Sequence, residues 1–334
     1  MDRAPHPFSP SAVPWRGYAR GPRPALTIAL LALGATLLVR HLQQVDWPAM
    51  REVIAHMPRE SLLGAGVLAA LSYAVYCSFD LLARRTTGHT ISRRRVLAIG
   101  FVGHACALNL GPAGAGVRFR LYARHGLPMH LIAALWLFNV ATNWLGFVTL
   151  AGAALATRTL ALPVSWGLAP GLLQPAGIAL LAAVAAYLLA CRLAHHRAVR
   201  LSGVEFRLPP WHVALLQCAL SVLNWLLLAA IVFVLLGERA DFEDVLAALM
   251  ASALALAVVD VPAGLGVTET VFLALLGGHV PPPQILAALM AYRAIYFVGP
   301  LLLAAAVYAV LEWDAGRLSA PADRRSPDAH SPPH

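Results

Sequence analysis

Apolar runs of membrane length recur along the chain at about 25–43, 61–79, 131–156, 172–191, 211–236 and 286–311. A helix rising about 1.5 Å per residue needs roughly 20 such residues to cross a hydrocarbon core of about 30 Å. Two further apolar segments, 96–116 and 245–276, are interrupted by Gly and Pro. No polar stretch between them is long enough to fold a soluble core. The pattern predicts an all-α polytopic membrane domain over 25–312. An Arg/Pro-rich tail (1–24) precedes it and a polar tail (313–334) follows, both expected to be disordered. The run from Ala25 to Val39 follows an Arg-rich stretch and is succeeded by no clear small-residue cleavage site, so it is expected to stay as an anchor.

Arginine placement decides how the two interrupted segments lie, because loops facing the cytoplasm carry an excess of basic residues. If all eight segments span, the loop arginines divide 14 inside to 10 outside, a poor bias. If the interrupted segments dip in and return on the same side, the division becomes 19 to 5, with only Arg40, Arg51, Arg59, Arg158 and Arg239 outside. The favoured topology is six spanning helices plus two re-entrant hairpins with both termini cytoplasmic; eight spanning helices is the alternative.

An internal repeat supports that choice. Pro112-Ala113-Gly114-Ala115-Gly116-Val117 matches Pro262-Ala263-Gly264-Leu265-Gly266-Val267 at five of six positions. The same offset of 150 lays span 61–79 over 211–229 and span 131–156 over 281–306. Each unit (about 61–156 and 211–306) therefore reads span, broken segment, span. If the broken segments are re-entrant, three spans separate them and the units are inverted. Paired Gly/Pro-interrupted segments in inverted halves mark a transporter whose substrate site lies at the repeat interface, since unwound backbone at that depth must be buried or line a wet cavity.

Composition agrees with a membrane protein. The chain of 334 residues is 59% hydrophobic and 12% charged, with a mean hydropathy of +0.69, where soluble proteins average about 25% charged. The net charge of +9 comes from 25 basic residues, all Arg. They fall between apolar segments rather than on one surface, which argues against a nucleic-acid partner. Cys77, Cys106, Cys191 and Cys218 lack metal or redox spacing and are expected to pack. No Walker loop, H-E-x-x-H or D-x-D sequence points to an enzyme, and neither a metal nor a cofactor is expected.

The informative polar residues are those inside apolar segments: Asp260, Glu269 and Arg293, with Asp80 and Arg118 at segment edges. A charge at mid-bilayer costs roughly 2.5–3.5 kcal/mol on insertion scales, so partners are expected. Glu269 pairs most naturally with Arg293, either as a fixed lock between hairpin and span or as a pair that opens for a headgroup or proton. Glu269 also falls in the first turn of a half-helix after Gly266, where the helix dipole favours a carboxylate. In the first broken segment a half-helix is expected to begin after Gly116. Arg118 would then sit by its positive end, beside amides that bind phosphate. Arg118 shares a face with Tyr122 and His125 and is expected to face the cavity and an incoming anion. Arg120 and Arg124 are left to the membrane surface. Asn139, Asn143 and Asn224 are expected to bond between helices, and His104 either satisfies a carbonyl or senses pH.

The stretch Asn109 to Tyr122 (NLGPAGAGVRFRLY), followed by Pro262 to Glu269 (PAGLGVTE) and by Tyr292-Arg293 with Pro300, resembles the transmembrane domain of bacterial lysylphosphatidylglycerol synthases and their stand-alone YbhN-like relatives, over about 25–312. The resemblance implies a flippase-like transporter of a phospholipid or lipid-linked substrate in the cytoplasmic membrane. The resemblance carries this expectation onto Arg118, Gly264, Gly266, Glu269 and Arg293, and with Gly114, Gly116, Tyr122 and Thr268 these are the expected substrate-binding residues. Ala263 departs from the Gly common in the family, and the aminoacyltransferase domain of the synthases is absent, so lipid-lysylating activity is not expected. Alternatives are a membrane-embedded lipid-modifying enzyme or accessory subunit, or a scaffold docking a separately encoded lipid synthase through Arg84–Arg95 and Arg192–Arg207. A homo-oligomer is possible on either reading.

Overall fold

Prolines set where the long helices start. Pro58, Pro128, Pro210 and Pro281 each stand one residue ahead of a helix in extended conformation, where a missing amide costs no intrahelical hydrogen bond. In this computed structural model the described residues are 57–157, 170–193, 198–201, 204–237, 239–258 and 266–318, with three isolated positions before residue 57. All lie in one compact unit, residues 45–334. The elements are α1 (Arg59–Thr87), α2 (Arg93–Leu110), α3 (Pro112–Arg124), α4 (Met129–Ala156), α5 (Pro170–Leu193), β1 (Ala198–Leu201), β2 (Val204–Arg207), α6 (Trp211–Leu236), α7 (Phe242–Val258), α8 (Val267–Leu276), α9 (Pro282–Tyr292), a π-helical turn (Arg293–Val298) and α10 (Gly299–Leu318).

Among these, α1, α4, α5, α6 and the continuous run from α9 into α10 are long and apolar enough to cross a membrane. They are five of the six expected spans; the sixth, at 25–43, lies outside the described residues, as do the tail 1–24 and the chain beyond Leu318. Two boundaries move. Helix α1 continues to Thr87 instead of stopping at 79, because Asp80 is buried and paired rather than a solvated end. Helix α10 runs to Leu318, past the expected boundary at 312. The all-helical expectation needs one amendment: the loop between α5 and α6 holds a two-stranded antiparallel hairpin, with Ala198 opposite Arg207 and Leu201 opposite Val204. Alternating Val199, Leu201, Val204 and Phe206 suit the two strands.

The first broken segment folds back on itself. Helices α2 and α3 meet at Gly111, whose φ of 55° and ψ of −131° suit a residue without Cβ. Pro112 then takes the first position of α3. The limbs run antiparallel in contact. A Cβ on Gly114 would strike the Cys106 carbonyl, and one on Gly103 would come within 2.6 Å of the Arg118 side chain. Arg93 and Arg124 consequently lie at the same end of the pair. The limbs are about 27 and 20 Å long at 1.5 Å per residue, the second too short to span. This corrects the expected break at Gly114–Gly116: both glycines are helical, and Gly114 serves close packing of the limbs. In the second unit α7 packs on α8, but the connection at 259–265, which carries Asp260, Gly264 and most of the matching motif, is outside the described residues.

The repeat seen in the sequence reappears in packing. In each unit the first helix contacts the second and the last, the second contacts the third, and the third contacts the last: α1 with α2 and α4, α2 with α3 and α3 with α4; α6 with α7 and α9, α7 with α8 and α8 with α9. The units join chiefly through α1 on α6 and α4 on α6. Small residues permit these approaches, Gly64 resting on Val234 and Gly146 on Ser221, as expected where packing rather than water drives helix association. Leu63, Val67 and Leu71 form an outward stripe on α1, while Ala65, Ala69, Ser72 and Tyr73 face in.

Candidate functional site

Two charged clusters lie inside the helical unit. In the first, Asp80 on α1 is fully buried and Arg118 on α3 is only 4% exposed. Arg118 Nη2 stands 3.4 Å from Asp80 Oδ2. The other carboxylate oxygen accepts hydrogen bonds from Tyr122 OH at 3.1 Å and Asn139 Nδ2 at 3.4 Å. Asp80 Oδ2 itself carries no hydrogen bond. Gly100 and Gly103 on α2 make the room, since a Cβ on Gly100 would come within 2.7 Å of Asp80 Oδ2. The guanidinium also lies 6.0 Å from the centre of the Tyr76 ring, a weak cation–π contact. Here α3 supplies the cation because its Arg118 and Tyr122, one helical turn apart, face α1 together.

The second cluster joins α8 to the start of the π-helical turn. Arg293 Nη2 lies 2.7 Å from Glu269 Oε1, with the side chains 13% and 22% exposed. Gly266, at φ 81°, begins α8, and its amide donates to Glu269 Oε2 at 2.9 Å. One carboxylate thus caps the half-helix with one oxygen and holds the arginine with the other. This arrangement is the one expected from the sequence, both in the pairing and in the first-turn position of Glu269.

Hydroxyls and aromatic rings connect the units between these clusters. His104 stacks on Tyr76 with centroids 3.4 Å apart, and its Nε2 lies 3.2 Å from Tyr296 OH. Tyr296 OH is 3.0 Å from Ser72 Oγ, which donates to Asn224 Oδ1 at 2.8 Å. The π-helical turn has an identifiable cause. Pro300 lacks the amide that would bond to the Tyr296 carbonyl, and Tyr73 OH donates to that carbonyl at 3.1 Å instead. Asn109 Nδ2 reaches the neighbouring Phe297 carbonyl at 3.3 Å. Side chains of the first unit thereby hold the segment that begins with Arg293.

Of the expected site residues, Arg118 and Tyr122 meet around Asp80, and Gly266, Glu269 and Arg293 meet around the start of α8. Gly114 packs against the α2 backbone, Gly116 is exposed on α3, Thr268 is half-buried on α8, and Gly264 lies outside the described residues. Arg118 does not sit at the first turn of its helix awaiting an anion: α3 starts at Pro112, and Asp80 already supplies the counter-charge. Arg124 is exposed and Arg120 half-buried. Asn139 and Asn224 bond between helices as expected, and His104 meets a hydroxyl rather than a carbonyl. The four cysteines are free and buried or half-buried. Sequence reasoning missed Asp80 as the partner of Arg118 and missed Tyr296 altogether. The available signal for Asp80 was a carboxylate within one helical length of an apolar run, with Asn139 facing it.

The family model for the lysylphosphatidylglycerol synthase TM region matches residues 25–304. Over 287 residues the chain is 40% identical to the inner membrane protein YbhN of Escherichia coli (strain K12), an alignment covering 85% of this chain and 90% of that protein. It is 29% identical over 288 residues to an uncharacterized protein of Synechocystis sp., covering 82% and 88%. Both charged clusters fall inside the matched region.

Proposed function

Because the chain belongs to the lysylphosphatidylglycerol synthase TM-region family, we propose that this membrane protein is a flippase-like transporter, without catalytic activity of its own, for a phospholipid or lipid-linked substrate in the bacterial cytoplasmic membrane. The observation that carries the proposal is the pair of arginine–carboxylate contacts inside the helical unit, Arg118–Asp80 and Arg293–Glu269, each built on the second limb of a broken-helix element in two matching units. Charges inside a membrane domain are expensive and usually mark a substrate path. Broken helices in repeated units are where transporters place it. In this reading the two hairpins are re-entrant, α2–α3 opening to the cytoplasm and α7–α8 to the outside. The partly exposed Glu269–Arg293 pair contacts the headgroup first. The name of the E. coli relative supports the inner-membrane location.

A leaflet-resolved assay with the purified protein in vesicles tests this. Labelled phospholipid should equilibrate between leaflets faster than in protein-free vesicles. Glu269→Gln and Arg293→Gln should each slow it, and the double variant should lose less than the two single losses combined. Movement equal to that in protein-free vesicles would refute the function, and strictly additive losses would refute the pair's role. The scaffold alternative draws on one observation: Arg85, Arg93 and Arg94 are exposed around the α1–α2 junction. It expects co-purification of a lipid synthase and no lipid movement.

A further inference from the structure

Arg118 cannot take a lipid phosphate while Asp80 holds it without a change of charge. The Arg118–Asp80 pair is neutral and sealed, at 4% and 0% exposure. A monoanionic phosphodiester arriving at Arg118 would put two anions against one cation, leaving a net negative charge out of water, where uncompensated charge is costly. Among the described residues, the groups facing Asp80 offer no second cation. Its own helix presents Tyr76 and Cys77, α3 presents Arg118 and Tyr122, α4 presents the neutral Asn139, and α2 presents the backbone of Gly100. His104 of α2 stacks on the Tyr76 ring and engages Tyr296.

One proton restores neutrality, and the geometry provides its seat. Asp80 Oδ1 already accepts from Tyr122 and Asn139, whereas Oδ2 is buried, lies against Arg118 and carries no hydrogen bond. We propose that the protein binds one proton on Asp80 together with each lipid phosphate on Arg118, so that the transported species is the phosphodiester plus a proton. This rests on the transport reading above and adds its coupling ion. In the step, a proton from water forms an O–H bond at Asp80 Oδ2, the Arg118 guanidinium exchanges the carboxylate for a phosphate oxygen, and no electrons change hands. Release reverses both events, returning the proton to water and Arg118 to Asp80. Protonating His104 instead would leave Arg118 still held by Asp80, so His104 does not serve.

The test uses the full chain in detergent, titrated with short-chain phosphatidylglycerol in weakly buffered solution containing a pH indicator. The expected result is uptake of about one proton per lipid bound, with apparent affinity falling about tenfold per pH unit on the alkaline limb, the limiting slope for one linked proton. Infrared difference spectra on lipid addition should show a new protonated-carboxyl band. Asp80→Asn should remove the band and flatten the pH dependence, and His104→Gln should preserve both. Lipid binding without proton uptake in the unaltered protein overturns the coupling and leaves the transport reading standing, whether or not Asp80→Asn folds. Proton uptake that survives in Asp80→Asn, or vanishes in His104→Gln, also overturns it. Absence of any lipid binding overturns both readings.

Discussion

Arg118→Gln should be one of the most damaging substitutions in the chain for stability. The side chain is buried, and its loss leaves the Asp80 carboxylate, fully buried, without a cation. Removing one partner of a buried pair costs about 3–5 kcal/mol. The lower end applies here, because Asp80 keeps the bonds from Tyr122 and Asn139. Asp80→Asn should cost a similar ~3 kcal/mol by stranding the guanidinium, which among the described residues is left with a 3.5 Å contact to the Gly100 carbonyl and the Tyr76 ring. With both changes neither charge of this pair remains. The double variant should lose about 3 kcal/mol rather than 6, a coupling of about 3 kcal/mol. Arg124→Gln, on an exposed position, should cost under about 1 kcal/mol. Unfolding in mixed micelles as the fraction of denaturing detergent is raised, followed by tryptophan fluorescence, measures all four. A coupling below about 0.5 kcal/mol would refute the claim that the two charges depend on each other.

Gly100→Ala should lower stability by about 1–3 kcal/mol, the usual cost of overpacking, because the new methyl meets Asp80 Oδ2; an unchanged unfolding midpoint would show that the α1–α2 contact yields freely. His89, in the loop after α1, is 8% exposed with neither ring nitrogen bonded, and burial together with the neighbouring Arg84 lowers its pKa from 6.5 to about 4. The unfolded chain takes up a proton below pH 6.5 that the folded form refuses until about pH 4, so this group's contribution to stability should fall across that window by on the order of 2–3 kcal/mol and level off below it. His89→Phe should flatten that part of the profile, and a profile identical to the parent's would exclude His89 as its source. Topology is checked by single cysteines in a background lacking the native four: positions 88 and 125 should label from the cytoplasm and position 279 from outside. Opposite-side labelling of 88 and 125 would mean that α2–α3 crosses the membrane.

The fold was legible where the signal was long or doubled. Five apolar runs became long helices because nothing else buries twenty consecutive apolar residues. The offset of 150 predicted the equivalent packing of α1–α4 and α6–α10 because the same apolar surfaces recur in the same order. The break in the first hairpin was harder to place. Gly111-Pro112-Ala113-Gly114-Ala115-Gly116 offers three glycines, and single-residue propensity ranks Gly poorly in any helix. Contact of Gly114 with the Cys106 backbone overrides that propensity, which no local reading can see. Glu269–Arg293 was legible because both residues stand in otherwise apolar segments on consecutive elements. Asp80–Arg118 was not, for two reasons. Hydropathy ends a span at its first charge, so Asp80 looked like a boundary, and the contact requires α3 to fold back along α2 toward α1.

The backbone repeats more faithfully than the charges do, and the difference constrains how the units work. At the offset of 150, Arg118 aligns with Thr268, Glu269 with Phe119, Asp80 with Ala230 and Arg293 with Asn143. No charged member of either pair has a charged counterpart. Yet in both units the second limb of the broken element carries one member, a cation on α3 and an anion on α8, and a long helix carries the other, α1 for the first and the π-helical turn within the last span for the second. Displacing either limb from its helix therefore separates opposite charges in a low-dielectric setting, which is unfavourable unless a ligand charge or a proton replaces the lost partner. On the proposed transport reading, the two limbs accept ligand groups of opposite sign, α3 an anion and α8 a cation, while the helices they leave need the converse. A zwitterionic or proton-balanced headgroup satisfies that requirement at either limb, and a bare ion of one sign satisfies it at only one.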